Sequence, residues 1–427
     1  MIKFLKNLLR LKNNTFKDKA NFKNLVLDSD IIKLFKSFNS YSNEAELRFV
    51  GGCVRKIISD EKIDDIDLST NFNPENVVEV LKKNKIDFYK TGMDHGTITA
   101  VINKKSFEIT SLRKDIKTDG RHAEVIYTNN WLEDASRRDF TINAIYSDLE
   151  GNLFDPFNGR KDLNEGLIKF IGDPAKRIKE DYLRILRYIR FSVGYSKKNH
   201  DLKTIKIIKQ NLSGLKKVSK DRQLQELRKI LSIRNLNKIN SDKIIRELFL
   251  LIFPELKNIN RINKTDPVSQ QILNSKEFEF ILSLLIVDKS ENCDYFVYKY
   301  NLTNKEKEKI NFLNSIFSEE PNKNFFTKEN LSKIVLKIGK EKLTDILDFQ
   351  ILTTKKNKNT FIDLKKYFYN FEIPIMPINA KDLIKKFDLK EGKLLGSILK
   401  EIQEQWLDNN FKISNNQIEE IVKSKRI

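Results

Sequence analysis

The hydrophobic pattern of this chain changes once and does not change back. Between residues 25 and 155, helical runs alternate with short apolar or alternating ones. Leu47–Val50, Ile66–Leu68, Ile98–Ile102 and Phe107–Leu112 read as strands. From about residue 160 the apolar residues recur only at helical spacing. The pattern predicts a head of mixed helix and strand followed by an extended all-helical body and tail. Glu372-Ile-Pro-Ile-Met-Pro-Ile-Asn379 carries two of the eight prolines and breaks helix, so it sets off a C-terminal helical piece. No internal repeat is visible.

Three clusters in the first 190 residues carry chemistry. Gly51-Gly52 follows the run Leu47–Val50 and precedes a helical stretch starting near Val54. Paired glycines there let backbone amides approach a phosphate closely, and Arg55 can add a charge-assisted bond. A plain strand-to-helix turn would look the same. About 14 residues after Gly51 come Asp65 and Asp67, on what reads as the next strand. Residues i and i+2 of a strand share a face, so two carboxylates repel each other unless a cation lies between them. Mg²⁺ suits a few carboxylates plus substrate phosphates. An isolated Asp-x-Asp is also common in solvated turns. Glu108, in the alternating run Phe107-Glu-Ile-Thr110, is a candidate third carboxylate on a neighbouring strand; a surface glutamate is the alternative. His95-Gly96-Thr97 and Arg113 lie nearby in the sequence without a spacing that assigns them roles.

Arg137-Arg138-Asp139-Phe140-Thr141-Ile142-Asn143-Ala144 offers adjacent arginines to neutralise phosphate charge, with Asp139 and Asn143 bracing backbone. Read alone, it is also a charged helix start. The third cluster is Glu180-Asp181-Tyr-Leu-Arg184-Ile-Leu-Arg187-Tyr-Ile-Arg190-Phe191. Asp181, Arg184, Arg187 and Arg190 recur every three residues on a drifting stripe of an otherwise apolar helix. Three arginines on a buried helix need anions or a cleft opposite. An Asp181–Arg184 salt bridge would leave the other two unexplained. Cytosine and adenine present an amino donor beside a ring-nitrogen acceptor, and uracil and guanine present the reverse. An aspartate accepting from the amino group and an arginine donating to the ring nitrogen would admit C and A only.

Composition adds bounds. The 427 residues hold 79 Lys and Arg against 59 Asp and Glu, a net charge of +20 that suits a polyanionic partner, although the abundance of Lys, Asn and Ile can also reflect genome composition. The two cysteines, Cys53 and Cys293, have no metal-type spacing. No apolar run approaches the roughly 18 residues of a membrane span. Lys3, Lys6 and Arg10 interrupt what would be a secretory core, so a cytoplasmic protein is expected. Residues 1–24 hold seven basic residues and one acid, Asp18, and read as a loosely ordered basic arm.

Residues 48–70, 95–115, 137–146 and 180–191 together resemble the tRNA nucleotidyltransferase/poly(A) polymerase family, and within it the class II CCA-adding enzymes. The family's GGxVRD and DxD are matched by Gly51–Lys56 and Asp65–Asp67, RRDxTxNA by Arg137–Ala144, and EDxxRxxRxxRF by Glu180–Phe191. Lys56 departs from the pattern, where the family has Asp. The resemblance implies an α+β chain: a polymerase-beta-like nucleotidyltransferase head with a mixed sheet, then all-helical neck, body and tail. It divides the chain into the arm 1–24, a catalytic head 25–155, a neck with the nucleotide-recognition helix 156–215, a body 216–372 and a tRNA-binding tail 373–427. Leu215–Arg222 with Glu226-Leu-Arg-Lys-Ile, and Ala380–Gly392 with Trp406, resemble the family more weakly. His200-Asp201 lacks the other ligands of the phosphohydrolase domain some relatives carry.

The resemblance implies that Asp65 and Asp67 bind Mg²⁺, that Gly52, Arg55 and Arg138 contact the nucleotide, that Asp181 and Arg184 read the base, and that Arg187 and Arg190 complete the pocket. The expected reaction is template-independent addition of C, C and A to tRNA 3′ ends from CTP and ATP. Polyadenylation, addition of CC or A alone, and an inactive RNA-binding protein are the alternatives. The tail resemblance and the absence of a long arginine-rich C-terminus favour CCA addition.

Overall fold

The computed structural model describes residue 22 and residues 28–118, 123–234, 236–319 and 321–426. The basic arm lies outside them, apart from Phe22. The chain forms two compact units, one ending at Pro254 and the other beginning at Glu255.

Among the described residues of the first unit, nine strands form: β1 (Leu47–Val50), β2 (Asp67–Thr70), β3 (Asp87–Gly92), β4 (Thr97–Ile102), β5 (Lys105–Ser111), β6 (Arg113–Thr118), β7 (Ala123–Tyr127), β8 (Tyr146–Ser147) and β9 (Leu153–Phe154). Seven make one sheet in the order β3-β4-β5-β2-β1-β8-β9, and β6 and β7 form a separate hairpin. The sheet is mixed, because β2 runs parallel to β5 and the other pairs are antiparallel. The four strands expected from the sequence are present, the first with the expected ends and the other three with shifted ones. β3, the hairpin, β8 and β9 are additions. They are polar, at an edge, or only two residues long, and so lack the apolar signal that marks a central strand.

Alternation along these strands builds the site. Phe49 of β1, Leu68 of β2, Ile98 and Ala100 of β4, and Phe107 and Ile109 of β5 enter one core. Two helices close that face: α1 (Ser29–Tyr41), capped by Asp28, and α3 (Pro74–Lys83), capped by Asn73 with proline at its start. Ile31, Leu34 and Phe35 of α1 and Val77, Val80 and Leu81 of α3 join the cluster. Between them in sequence, α2 (Gly52–Ile58) follows the glycine turn. Asp67, Ser69, Glu108 and Thr110 therefore point away from this core, onto the opposite face of the sheet. That face is partly covered by α4 (Trp131–Arg137), whose Trp131 and Ala135 pack with Val50, Leu112, Ala144 and Tyr146.

Beyond β9, no strand occurs among the described residues; the isolated bridge Phe140–Phe170 is the last extended pairing. The first unit continues with α5 (Gly159–Glu165), α6 (Pro174–Glu180), α7 (Leu183–Tyr195), α8 (Leu202–Gln210) and α9 (Lys220–Leu231). His200 is a buried structural link here, bonded to the Tyr188 hydroxyl at 2.9 Å and to Asp242 at 2.8 Å. In the second unit the long helix Lys328–Thr353 is broken at Gly339, whose φ of 81° is left-handed. Residues 371–379 are non-helical, as the prolines predict. After them the helices Ala380–Phe387, Lys393–Asp408 and Asn415–Arg426 share a core that includes Leu383, Ile398, Ile402, Ile418 and Ile421.

Candidate active site

β2 begins at Asp67, so the two aspartates do not share a strand face as the sequence pattern implied. Asp65 lies in the segment just before it and is exposed, while Asp67 is partly buried. The parallel register sets Asp67 beside Glu108 of β5, which places the glutamate on the neighbouring strand as expected. Burial raises the Asp67 carboxyl above its ordinary range, and the charges of Glu108 and Asp65 raise it further; Arg138 and Arg55 pull the other way. Partly buried carboxylate charge with like charge around it fits a hard divalent cation held by oxygen donors. Among the described residues no three Asp, Glu, His or Cys side chains converge as a ready-made metal cluster, so Asp65, Asp67 and Glu108 supply charge without a closed ligand set. Lys56, the departure from the family pattern, pairs with Asp64 at 2.7 Å. It neutralises the one aspartate of Asp64-Asp65-Ile66-Asp67 that the metal reading does not use.

The glycine turn abuts these carboxylates. Gly51 has a φ of 66°, which disfavours any side chain, and a Cβ there would come 3.5 Å from Arg138 Nη1. A Cβ on Gly52 would stand 3.7 Å from Asp67 Oδ2. Arg55, one turn into α2, is buried; it donates to Asn143 Oδ1 and lies 4.8 Å from the Phe191 ring centre. The arginine pair Arg137-Arg138 closes helix α4 instead of opening one.

The third cluster is not one helix. α6 ends at Glu180, Asp181 is extended (φ −151°, ψ 106°), and α7 starts at Leu183. Asp181 therefore leaves the stripe and sits at the junction. Its Oδ1 accepts from the Leu183 amide at 3.1 Å, and its Oδ2 accepts from Arg222 Nη2 at 2.9 Å. Its carboxylate does not pair with the Arg184 guanidinium. Arg184 Nη1 donates to Glu180 Oε2 at 2.6 Å and to the Arg177 carbonyl at 2.7 Å, which leaves its other N–H donors for a ligand. Arg187 Nε donates to Asp139 Oδ2 at 2.5 Å, and Arg190 Nε donates to Glu226 Oε2 at 2.8 Å. Burial alone would raise the Asp139 carboxyl, but Arg187 and Asn143 hold it down at about 2. The anions demanded by the arginine stripe are thus Glu180, Asp139 and Glu226, all contributed from outside α7.

Sequence reasoning missed the pairing roles of Asp139, Glu180, Arg222 and Glu226, and also Arg177, whose guanidinium donates to the carbonyls of Arg137 and Arg138. Glu226 is almost wholly buried on α9. A buried glutamate with an arginine four residues before it was the available signal, but nothing in the sequence paired it with α7. Glu226→Ala is expected to destabilise the protein by about 3 kcal/mol, since it strands Arg190 and weakens the hold on Arg187. Urea unfolding measures this, and a loss below about 1 kcal/mol would contradict the pairing.

Gly52, Arg55, Asp67, Arg138, Asp181, Arg184, Arg187 and Arg190 all line one cleft of about 660 Å³. Asp65 and Glu108 are not on its wall, although both act on Asp67 electrostatically. His95, Thr97 and Arg113 border it too. Among the described residues, eight arginines and four carboxylates line the cleft, so it carries excess positive charge beside a negative corner at Asp67. That polarity suits a polyphosphate bound together with a cation.

A family model, the poly A polymerase head domain, matches residues 47–169. The chain is 33% identical over 394 residues to the human "CCA tRNA nucleotidyltransferase 1, mitochondrial", covering 88% of this chain and 86% of that protein. It is 29% identical over 382 residues to the CCA-adding enzyme of Staphylococcus haemolyticus, covering 85% and 90%. In fold it is similar to the crystal structure of the Bacillus stearothermophilus CCA-adding enzyme in complex with CTP, with a TM-score of 0.67 at 22% identity, over 92% of this chain and 96% of that one.

Proposed function

Since this chain belongs to the CCA-adding enzymes of the tRNA nucleotidyltransferase and poly(A) polymerase family, we propose that the arginine-lined cleft holds the incoming nucleotide, with each motif residue in a distinct role. The chain adds C, C and A to the 3′ end of tRNA from CTP and ATP, without a nucleic-acid template, and releases pyrophosphate. The convergence of the glycine turn, Asp67, Arg138 and the Asp181–Arg190 residues on a single cleft carries the assignment of roles.

In this reading the tRNA 3′-oxygen bonds to the α-phosphorus of the nucleotide as the bond to the bridging oxygen of pyrophosphate breaks. Asp67 and Asp65 hold a divalent cation, with Glu108 adding negative charge beside them. Dependence on a divalent metal goes with the family; Mg²⁺ is our choice because the donors are carboxylate oxygens. Such an ion, when bound, favours deprotonation of the attacking hydroxyl and neutralises the departing pyrophosphate. Gly52 lets the backbone approach the phosphates, and Arg55 and Arg138 neutralise them. Asp181 accepts from the exocyclic amino group, and Arg184 donates to the ring nitrogen. Arg187 and Arg190, held by Asp139 and Glu226, shape the rest of the pocket.

We further assign the head to residues 25–155, the neck to 156–215, the body to 216–372 and a tRNA-gripping tail to 373–427. No helix among the described residues is long and apolar enough to cross a membrane. A cytoplasmic location is part of the same proposal, although the human relative carries a mitochondrial designation.

The decisive experiment is product length on tRNA lacking its 3′ end, supplied with CTP and ATP. Growth by three nucleotides supports the reading. A long A tail, a stop after CC, or no incorporation would each replace it with one of the alternatives. Chelation of divalent metal is expected to abolish growth and added Mg²⁺ to restore it.

A further inference from the structure

Asp134 belongs to no motif, yet one carboxylate there gathers the arginine side of the cleft. It is fully buried on α4. Its Oδ1 accepts from Arg137 Nε at 2.9 Å and Nη2 at 2.7 Å, and lies 3.4 Å from the Arg113 amide nitrogen. Its Oδ2 accepts from the Tyr146 hydroxyl at 2.7 Å and from Arg138 Nη2 at 3.1 Å and Nε at 3.3 Å. Tyr146 completes the ring, because its oxygen accepts from Arg138 Nε at 2.9 Å. Burial would push the Asp134 carboxyl up, but Arg138 and Arg137 hold it well below the usual carboxylate range, so it stays charged.

The consequence falls on Arg138. A surface arginine samples many rotamers and loses that freedom on gripping a ligand. Here Nε and Nη2 are committed to Asp134 and Tyr146, and Nη2 also reaches Ser69 Oγ at 3.4 Å, two residues beyond Asp67 on β2. The bonds leave Nη1 turned toward the glycine turn, 3.5 Å from where a Gly51 Cβ would be. We propose that Asp134, together with Tyr146, is a positioning residue for nucleotide binding: it locks the Arg138 guanidinium against the Gly51-Gly52 turn so that Nη1 meets the triphosphate without rearrangement. The proposal rests on the reading that Arg138 contacts the nucleotide. It assigns Asp134 no contact with substrate.

A double-mutant cycle on the full chain tests it, with equilibrium CTP binding by titration calorimetry as the readout. Asp134→Asn and Arg138→Ala are each expected to raise the CTP Kd by about tenfold or more. The double variant should bind no worse than the weaker single one, because both remove the same contact. Additive losses, or an unchanged Kd in Asp134→Asn beside a loss in Arg138→Ala, would overturn the positioning role and leave the reading of Arg138 standing. An unchanged Kd in Arg138→Ala would overturn that reading and the proposal with it. Should Asp134→Asn not fold, Tyr146→Phe takes its place, since it removes one hydroxyl and keeps the ring packed on Trp131. A raised Kd that disappears in the Arg138→Ala background supports the proposal, and an unchanged Kd overturns it.

Discussion

Asp67→Ala is expected to lower the rate of CMP incorporation by about three orders of magnitude, while tRNA affinity stays within about twofold. Metal-assisted charge stabilisation is worth several kcal/mol in the transition state, and each 1.36 kcal/mol is a factor of ten. Asp67 is the aspartate that both lines the cleft and starts the strand, whereas Asp65 and Glu108 stand off the cleft wall. Single-turnover incorporation and filter binding of tRNA separate the two effects. Retention of more than a tenth of the wild-type rate would remove Asp67 from the metal site.

The same residue makes an independent prediction about stability. Its folded carboxyl is raised by burial and by Glu108, so the folded chain binds the proton more tightly than the unfolded chain does. Without metal, Asp67 therefore opposes folding as pH rises above the ordinary carboxylate value of about 4. Asp67→Asn should accordingly raise the thermal midpoint of metal-free protein at neutral pH and reduce the further rise that Mg²⁺ produces. A lower midpoint in the metal-free variant would mean the carboxylate is a stabilising partner and not a strained ligand.

Arg184→Ala is expected to cut the preference for CTP over UTP by about a hundredfold or more. Sites built to hydrogen-bond a polar group reject a mismatched analogue by about 10⁴ to 10⁵, because the buried donors are left unpaired. Arg184 is held by Glu180 and the Arg177 carbonyl, and so presents its remaining donors from a fixed frame. Removing it leaves Asp181, itself braced by Arg222, as the sole proposed reader. Steady-state kcat/KM for the four nucleotides measures the change. If U and G are still fully rejected by the residual activity, base choice lies elsewhere.

Much of this is legible in the sequence. The single change of hydrophobic period located the boundary between sheet and helix, and the motif residues other than Asp65 and Glu108 lie round one cleft. The misses have physical causes. The period-three stripe from Asp181 to Arg190 looked like one helix, because apolar spacing continues across the break; the extended backbone at Asp181 leaves no mark in a pattern dominated by Leu, Ile and Tyr. Asp65 seemed to share a strand with Asp67, yet alternation over three residues cannot fix where a strand begins. Asp139 and Glu226 were invisible as partners because their arginines lie on another element, whereas Asp134 precedes Arg137 and Arg138 by three and four residues, a helical pairing spacing that the sequence does carry. A sequence shows that buried charge needs a counter-charge, but not which one the fold will bring.

The carboxylates behind the arginines also set the order in which this pocket could be redesigned. Arg187 and Arg190 answer to Asp139 and Glu226, residues 48 and 36 positions away in the chain. An engineer who replaces either arginine to admit a new base also takes the shortest counter-charge from an acid in the interior, and screening single substitutions will record that damage as lost folding. Libraries that vary each acid together with its arginine would let altered base choice be seen separately from collapse.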